Sequence, residues 1–459
     1  GAGGGGGRIN TDAIDNSAGV DCSDHEVNIK ILLGLVQAEG ELTEKQRIKT
    51  LAEMTEEVGL LVLADNYYQT QSLSVSGVRG EKLLDSHAGF IRALEKAGKL
   101  NRAVENLPSD DEIAERRLAK RGLTAPERAV LLAYSKMTLY EDLLASALVD
   151  DEFVRAALVA YFPRQMRERY ADVMSRHPLK REIIGTVLAN TMINRTGSVF
   201  VHRMVEETGA SPDEVTRAFI LVKEIFGLET LWERIDALDN EVAAKVQYEM
   251  LTEVGRLVVR GTLWFLRRRR ERLPIAQVLQ IFRPSIDSLC RRVPAILAAG
   301  DRMAWSTSVA QLIGVGVERE LAGSVASLGA LYAALDVTEV AMEQKKSVES
   351  LAALYFALVG ELELRWFAEK ITSLPTDTTW QALARNALRD DLASQQRHLT
   401  ASVSRLTQSD DPETMLTLWR EHYAPPINRL KAMTEELKRS GAVDLAVLSV
   451  LLRELRAAA

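Results

Sequence analysis

The chain has 459 residues, 47% hydrophobic and 26% charged, which describes a globular protein with room for about three domains. A formal net charge of -7 excludes the basic excess of a general nucleic-acid binder, and Cys22 and Cys290 lie too far apart for a disulfide framework or a metal-ligand spacing. No apolar run approaches the ~20 residues of a membrane helix, so the composition reads as that of a cytoplasmic protein.

The opening GAGGGGG formally contains G-x-G-x-x-G at Gly1, Gly3 and Gly6. No strand precedes it and no acidic ribose ligand follows on a next strand, so residues 1–7 read as a flexible start or tag rather than a dinucleotide turn. From Arg8 the chain carries its one chemically distinctive stretch, RINTDAIDNSAGVDCSDHEVNIKI, ending at Ile31. A β-prone run from Arg8 to Ile14 leads into a polar turn around Asn16 and Gly19. Ser23-Asp24-His25-Glu26 then has the S-x-x-E form of a capping box, followed by Val27, Ile31 and Leu35 at helical spacing. The pattern predicts a strand–turn–helix corner, a common seat for a carboxylate or phosphate. Two roles are open for Ser23: a helix cap, or a hydroxyl offered to an anionic ligand. Asn16 carries a donor and an acceptor suited to a ligand hydroxyl, or to the turn itself.

Everything after Val20 reads as helix. Thr43-x-x-Gln46 starts a helix predicted to end near Asp65 and Asn66, and Lys82 to Ala97 forms the next, closed by Gly98. Ser109-x-x-Glu112 opens a short helix stopped by Gly122, and Thr124-Ala125-Pro126-Glu127 caps another. Pro163 and Pro178 mark further starts, and Leu179 to Thr208 reads as one long helix closed by Gly209. A helix from Val242 ends in Arg267 to Arg270, and Pro274, Pro284 and Pro294 punctuate short helices. Single long helices are predicted over Thr338–Ser373 and Thr379–Leu406, with a final one after Gly441. There is no fixed-period repeat, so a regular solenoid is not expected.

Metal and nucleophile motifs are wanting. His25-Glu26 would need a second histidine at Ile29 for H-E-x-x-H, and the other five histidines form no i, i+4 pair with one another, which leaves no metal site in the reading. The arginine run reads as a helix C-terminus complementing the dipole, and the six tryptophans read as core anchors.

The run T-D-A-I-D-N-S-A-G-V-D-C-S-D-H-E, Thr11 to Glu26, resembles the P-D-x-x-x-N-A-G-G-V-x-x-S-x-x-E signature of glutamate and related amino-acid dehydrogenases. Asp12, Asn16, Gly19, Val20, Ser23 and Glu26 fall on matching positions, while Thr11 replaces proline and Ser17-Ala18 replaces A-G. Further blocks resemble the large bacterial NAD-specific glutamate dehydrogenases: LTAPERAVLLAYSKMTLYEDLLAS (Leu123–Ser146), REIIGTVLANTMINRTGSVFVHR (Arg181–Arg203) and FGLETLWERIDALDN (Phe226–Asn240).

The resemblance implies NAD-dependent oxidative deamination of L-glutamate to 2-oxoglutarate and ammonia, with Ser23 holding the substrate side-chain carboxylate and Asn16 beside the nicotinamide ribose. It also implies that the NAD-binding turn and the catalytic lysine and aspartate lie upstream, so this chain holds no catalytic residue and is inactive alone. The expected architecture is therefore mostly α. Residues 8–100 would end a dehydrogenase catalytic core with the strand–turn–helix corner, and residues 101–459 would form a helical domain for assembly or regulation. A homo-oligomer without nucleic-acid or membrane partners is expected. The competing reading is a non-catalytic helical oligomerisation module in which the corner is only structural.

Overall fold

A computed structural model describes residues 9–268, 273–375, 379–441 and 443–459. The glycine-rich start, Arg8, and Arg269 and Arg270 of the arginine run lie outside these residues. Among the described residues the secondary structure is helical throughout, with no strand. The chain divides into two compact units, one of Gly1–Lys223 with Ala244–Gln277, the other of Glu224–Ala243 with Val278–Ala459.

The first unit opens with α1 (Asp12–Asp15), α2 (Ser17–Ala38), α3 (Glu44–Glu53), α4 (Thr55–Val78), α5 (Gly80–Lys96), α6 (Asp110–Leu118) and α7 (Ala125–Leu144). It continues through α8 (Arg155–Tyr161), α9 (Arg164–Met174), α10 (Lys180–Thr196), α11 (Phe200–Thr208) and α12 (Pro212–Ile225). After α13 (Leu228–Asp236) of the second unit, α14 (Ala244–Arg267) completes it.

The predicted strand at 8–14 is corrected by this structure. Residues 9–11 are irregular and Asp12–Asp15 are helical. A strand needs a neighbour to take its N–H and C=O groups, and no described segment supplies one. A helix satisfies those groups within itself. The predicted turn at Asn16–Gly19 is the α1–α2 junction, and Ser23 sits inside α2 rather than at its cap.

Reciprocal capping boxes form at Thr43/Gln46, Ser109/Glu112 and Thr124/Glu127, where sequence placed them. Elsewhere helices break where continuity was expected. Met54 separates α3 from α4, which then runs past Asn66 to Val78. Gly197, at φ 85°, ends α10, a conformation that costs glycine little and other residues more. Helix α6 stops at Leu118, with Lys120 at φ 51°, before Gly122 is reached. Gly122 has another duty: a Cβ there would lie 2.4 Å from the carbonyl carbon of Gly80, at the start of α5. The inner face of α5, with Leu84, Ala88 and Ile91 at 2% exposure or less, anchors a cluster shared with Leu123, Leu131 and Val199.

The second unit holds α13 and then α15 (Ile275–Cys290), α16 (Val293–Ile296), α17 (Ala299–Gly314), α18 (Arg319–Leu331), α19 (Ala333–Gln344), α20 (Val348–Glu361) and α21 (Leu364–Thr372). It closes with α22 (Thr379–Ser404), α23 (Pro412–His422), α24 (Ala424–Ser440) and α25 (Leu445–Ala457). Pro284 lies inside α15 instead of starting a helix. The expected helix over Thr338–Ser373 is three helices, separated by Lys345 at φ 55° and Glu363 at φ 52°. Pro425 and Pro426 occupy the first turn of α24, where a missing N–H costs nothing.

Helix α20 is the hub, packed against α19, α21, α22 and α23, with Leu351, Ala352 and Leu354 fully buried. Trp419 donates from Nε1 to the Ala458 carbonyl at 2.7 Å, tying α23 to the end of α25. Trp232, Trp264 and Trp419 are core residues, as expected, whereas Trp380 is 81% exposed. No single described helix is long and apolar enough to cross a membrane. One pair, α18 and α19, bent by 58°, passes that test only jointly.

Candidate functional site

Helix α2 carries both residues singled out for ligand contact, and it has two chemically different sides. Asn16 lies at its start with an exposed side chain that makes no cap hydrogen bond. Ser23 is exposed two turns later, its Oγ donating to the Gly19 carbonyl at 3.3 Å. Glu26 pairs with Lys30 rather than reaching back to the Ser23 backbone. The anion-friendly helix N-terminus expected at Ser23 is therefore not there, since its surrounding N–H groups are already spent within the helix. Asn16, Val20, Ser23 and Val27 follow one another at i, i+4, i+7 and i+11, so they share a single outward strip. Val20 is 73% and Val27 52% exposed. Asn16 and Ser23 stand about 10 Å apart along that strip, at 1.5 Å rise per residue.

The other side of α2 turns polar groups inward over its first half, ahead of the buried Ile29, Leu32, Leu33 and Val36, which is unusual for a helix packed against four others. Ser17 bonds to Asn66 and Gln69 of α4, and Asn66 donates from Nδ2 to the Val62 carbonyl at 2.8 Å. Gln69 in turn accepts from Lys136 Nζ of α7 at 3.3 Å. One turn along α2, the Tyr161 hydroxyl at the end of α8 donates to Asp24 Oδ2 at 2.7 Å and accepts from Asn28 Nδ2 at 3.0 Å. The Tyr161 ring stacks on His25, centroids 4.3 Å apart and planes within 18°. His177 Nδ1 accepts from the Leu179 N–H at 3.1 Å, so its proton sits on Nε2 and is donated to the Asn28 carbonyl at 3.1 Å.

At the centre of this side, Asp21, His25 and Asp65 bring one ligand atom each within 4.8 Å of one another. His25 Nε2 lies 3.9 Å from Asp21 Oδ1, too long for a hydrogen bond. Burial, with Asp65 and Asp24 close by, pushes the Asp21 carboxyl up to about 7 despite the opposing charge of Lys136. Burial also raises Asp65, again against Lys136. The Lys136 ammonium is pulled down to about 8 by burial, against the attraction of Asp65 and Asp21. His25 is lowered by burial and is a neutral imidazole near neutrality. Burial, and then the bond to Asp24, push the Tyr161 phenol well above its ordinary value, so it stays a donor.

The structure thus separates what the sequence singled out from what it buried. Asn16 and Ser23 face outward on one strip, while Asp21, His25, Asp65, Lys136 and Tyr161 converge behind them. The sequence reading missed this second group. Asp21 and His25 stand at i, i+4, a signal that a search for paired histidines passes over, and Asp65 and Lys136 join them only through tertiary packing. Of the remaining histidines, His87 and His177 are buried, while His398 and His422 are exposed. Arg267 ends α14 paired with Glu207 at 2.7 Å, and Arg268 lies over the Trp264 ring at 4.4 Å.

Comparison with known proteins adds two family matches: residues 120–457 match the model for "Glutamate dehydrogenase, C-terminal", and residues 2–76 match that for "Bacterial NAD-glutamate dehydrogenase, catalytic domain". The chain is 42% identical over 453 residues to the NAD-specific glutamate dehydrogenase of Pseudomonas aeruginosa, 39% over 449 residues to that of Halomonas elongata, and 35% over 452 residues to that of Mycobacterium tuberculosis. Each comparison covers 98% of this chain but 28% of the relative, so the chain spans little more than a quarter of the length of these proteins.

Proposed function

Because the chain belongs to the glutamate dehydrogenase C-terminal family, we propose that it works as one part of an NAD-dependent enzyme that oxidatively deaminates L-glutamate to 2-oxoglutarate and ammonia. The observation that carries this reading is the outward strip of α2. Two largely exposed valines flank Asn16 and Ser23 there, inside the same stretch, 2–76, that matches a catalytic domain. Ile9, Ile48, Leu60, Leu63 and Val78 are also more than half exposed in or beside that stretch. Exposed apolar side chains gathered in one segment mark a surface made to be covered, and the covering partner is the remaining part of a longer catalytic domain.

In this reading Ser23 turns its hydroxyl from the long bond with the Gly19 carbonyl to the side-chain carboxylate of glutamate. A charge-assisted hydrogen bond to that group is worth about 1.5–3 kcal/mol. The Asn16 amide, free of helix-capping duty, contacts the ribose next to the nicotinamide. NAD supplies the hydride acceptor at Cα of the substrate. The phosphate-binding turn and the proton-handling lysine and aspartate belong to the catalytic remainder, so no catalytic residue is assigned here. Residues 8–100 close the catalytic domain and residues 101–459 serve assembly or regulation, in a cytoplasmic homo-oligomer.

The test is NAD-dependent glutamate oxidation by the full-length gene product, measured beside this chain alone. Activity in the first and none in the second is expected. An inactive full-length product that still self-associates would replace this reading with a purely structural helical module.

A further inference from the structure

We propose that Asp21, His25 and Asp65 form a binding site for a divalent first-row transition ion, with water completing the coordination. The site would lie behind the strip that bears Asn16 and Ser23, and it would pin α2 to α4. The argument rests on these side chains alone and is independent of the role given to Ser23.

The donors are placed by helix geometry. Asp21 and His25 are one turn apart on α2 and so share a face; Asp65 projects from α4, against which α2 packs. His25 is 2% exposed, and its Nδ1 is buried without a hydrogen-bond partner; so is Asp21 Oδ2. Neither carboxylate has an ion-paired lysine or arginine within 4.0 Å among the described residues. The nearest cation, Lys136, is instead hydrogen-bonded to Gln69. Two carboxyl groups facing each other in a partly buried pocket, with Lys136 near but in ion-pair contact with neither, are costly to ionise together. A 2+ ion removes that cost directly.

The ring that carries the nitrogen donor is fixed by packing rather than by a hydrogen bond to its other nitrogen. The His25 ring is held by stacking on Tyr161, whose hydroxyl is fixed between Asp24 and Asn28. One nitrogen and two carboxylate oxygens suit zinc or manganese better than magnesium or calcium, which favour all-oxygen shells. Donor separations of up to 4.8 Å exceed the ~3.3 Å implied by bonds of about 2.1 Å to zinc, so binding draws the donors together by up to about 1.5 Å.

Lys136 supplies a control that a fortuitous surface site would not obey. It makes no contact the donors need, and its positive charge opposes an entering cation. Calorimetric titration of this chain with Zn2+ and, separately, Mn2+ should give one equivalent bound at about micromolar Kd, with a rise in Tm that grows with metal concentration. Asp65→Asn and His25→Gln should each weaken binding at least about 100-fold, and Lys136→Gln should strengthen it about tenfold. Circular dichroism checks each variant. Should His25→Gln fail to fold, Asp65→Asn and Lys136→Gln decide the matter. Absence of saturable binding below about 1 mM overturns the proposal. So does binding that survives the donor substitutions or is indifferent to Lys136→Gln, since the ion then sits elsewhere.

Discussion

Helices α2 and α20 solve opposite problems. Helix α20 is packed on all sides, its buried positions filled by Leu351, Leu354, Tyr355 and Leu358, and only Gly360 is exposed. Helix α2 buries Ile29, Leu32, Leu33 and Val36 along its second half, but ahead of them it turns Asp21, His25 and Asn28 toward its neighbours and leaves Val20 and Val27 in solvent. The first is organised for its own unit. The second divides its length between a polar inner face and an apolar one. Local rule-breaking of this kind, confined to one half of a helix whose other half packs normally, is the pattern expected where a site is built.

The comparison breaks hardest at buried charge. In the second unit Glu339 is 1% exposed at its side chain and meets Arg397 Nε at 3.1 Å, with Glu343 on the same guanidinium. Arg397→Met removes the guanidinium that both carboxylates face and should cost about 1–3 kcal/mol in chemical denaturation. A loss under about 0.5 kcal/mol would mean that the guanidinium contributes nothing beyond its packing.

Comparable in size is a pH effect in the first unit. His87 is 1% exposed, and burial, with Arg128 and Arg79 nearby, brings it down to about 4 from 6.5. Between those values the unfolded chain takes up a proton that the folded one refuses. The His87 contribution is thus complete above pH 6.5 and lost as pH falls toward 4, amounting to about 3 kcal/mol. Denaturation of His87→Leu across this window should show that slope removed. An unchanged slope assigns it to other groups.

Ser23→Ala, in the full-length product, should raise KM for glutamate about 10–100-fold while moving Tm by no more than about 1 °C, as the bond to Gly19 is long and exposed. A lowered Tm with intact kinetics returns Ser23 to a structural role. The smallest expected effect is that of Val20→Ser with Val27→Ser. This chain alone should change stability by under about 0.5 kcal/mol, yet the full-length product should lose activity, which a merely exposed pair would not explain.

The helical class and many of its starts were legible because caps are local chemistry: Thr43, Ser109 and Thr124 need only a partner three residues on. Breaks at Met54, Lys345 and Glu363 were not, because no residue type marks them; the left-handed turns at Lys345 and Glu363 are imposed by packing, against a cost of about 1–2 kcal/mol each. Ser23-x-x-Glu26 shows the limit of local reading. The same letters fit a cap or the middle of a helix, and only the start at Ser17 settles which. The inward cluster was illegible for a different reason, since Asp65 and Lys136 reach α2 only through the fold.

The bond from Trp419 to the Ala458 carbonyl bears on how the polypeptide is made. Helices with a side-chain cap, such as those starting after Thr43, Ser109, Thr124 and Ser347, carry their own start signal and can begin to form as they leave the ribosome. The α23–α25 contact cannot close until residue 458 has emerged, so the Trp419 face of α23 stays open to chaperones, and to aggregation, for that interval.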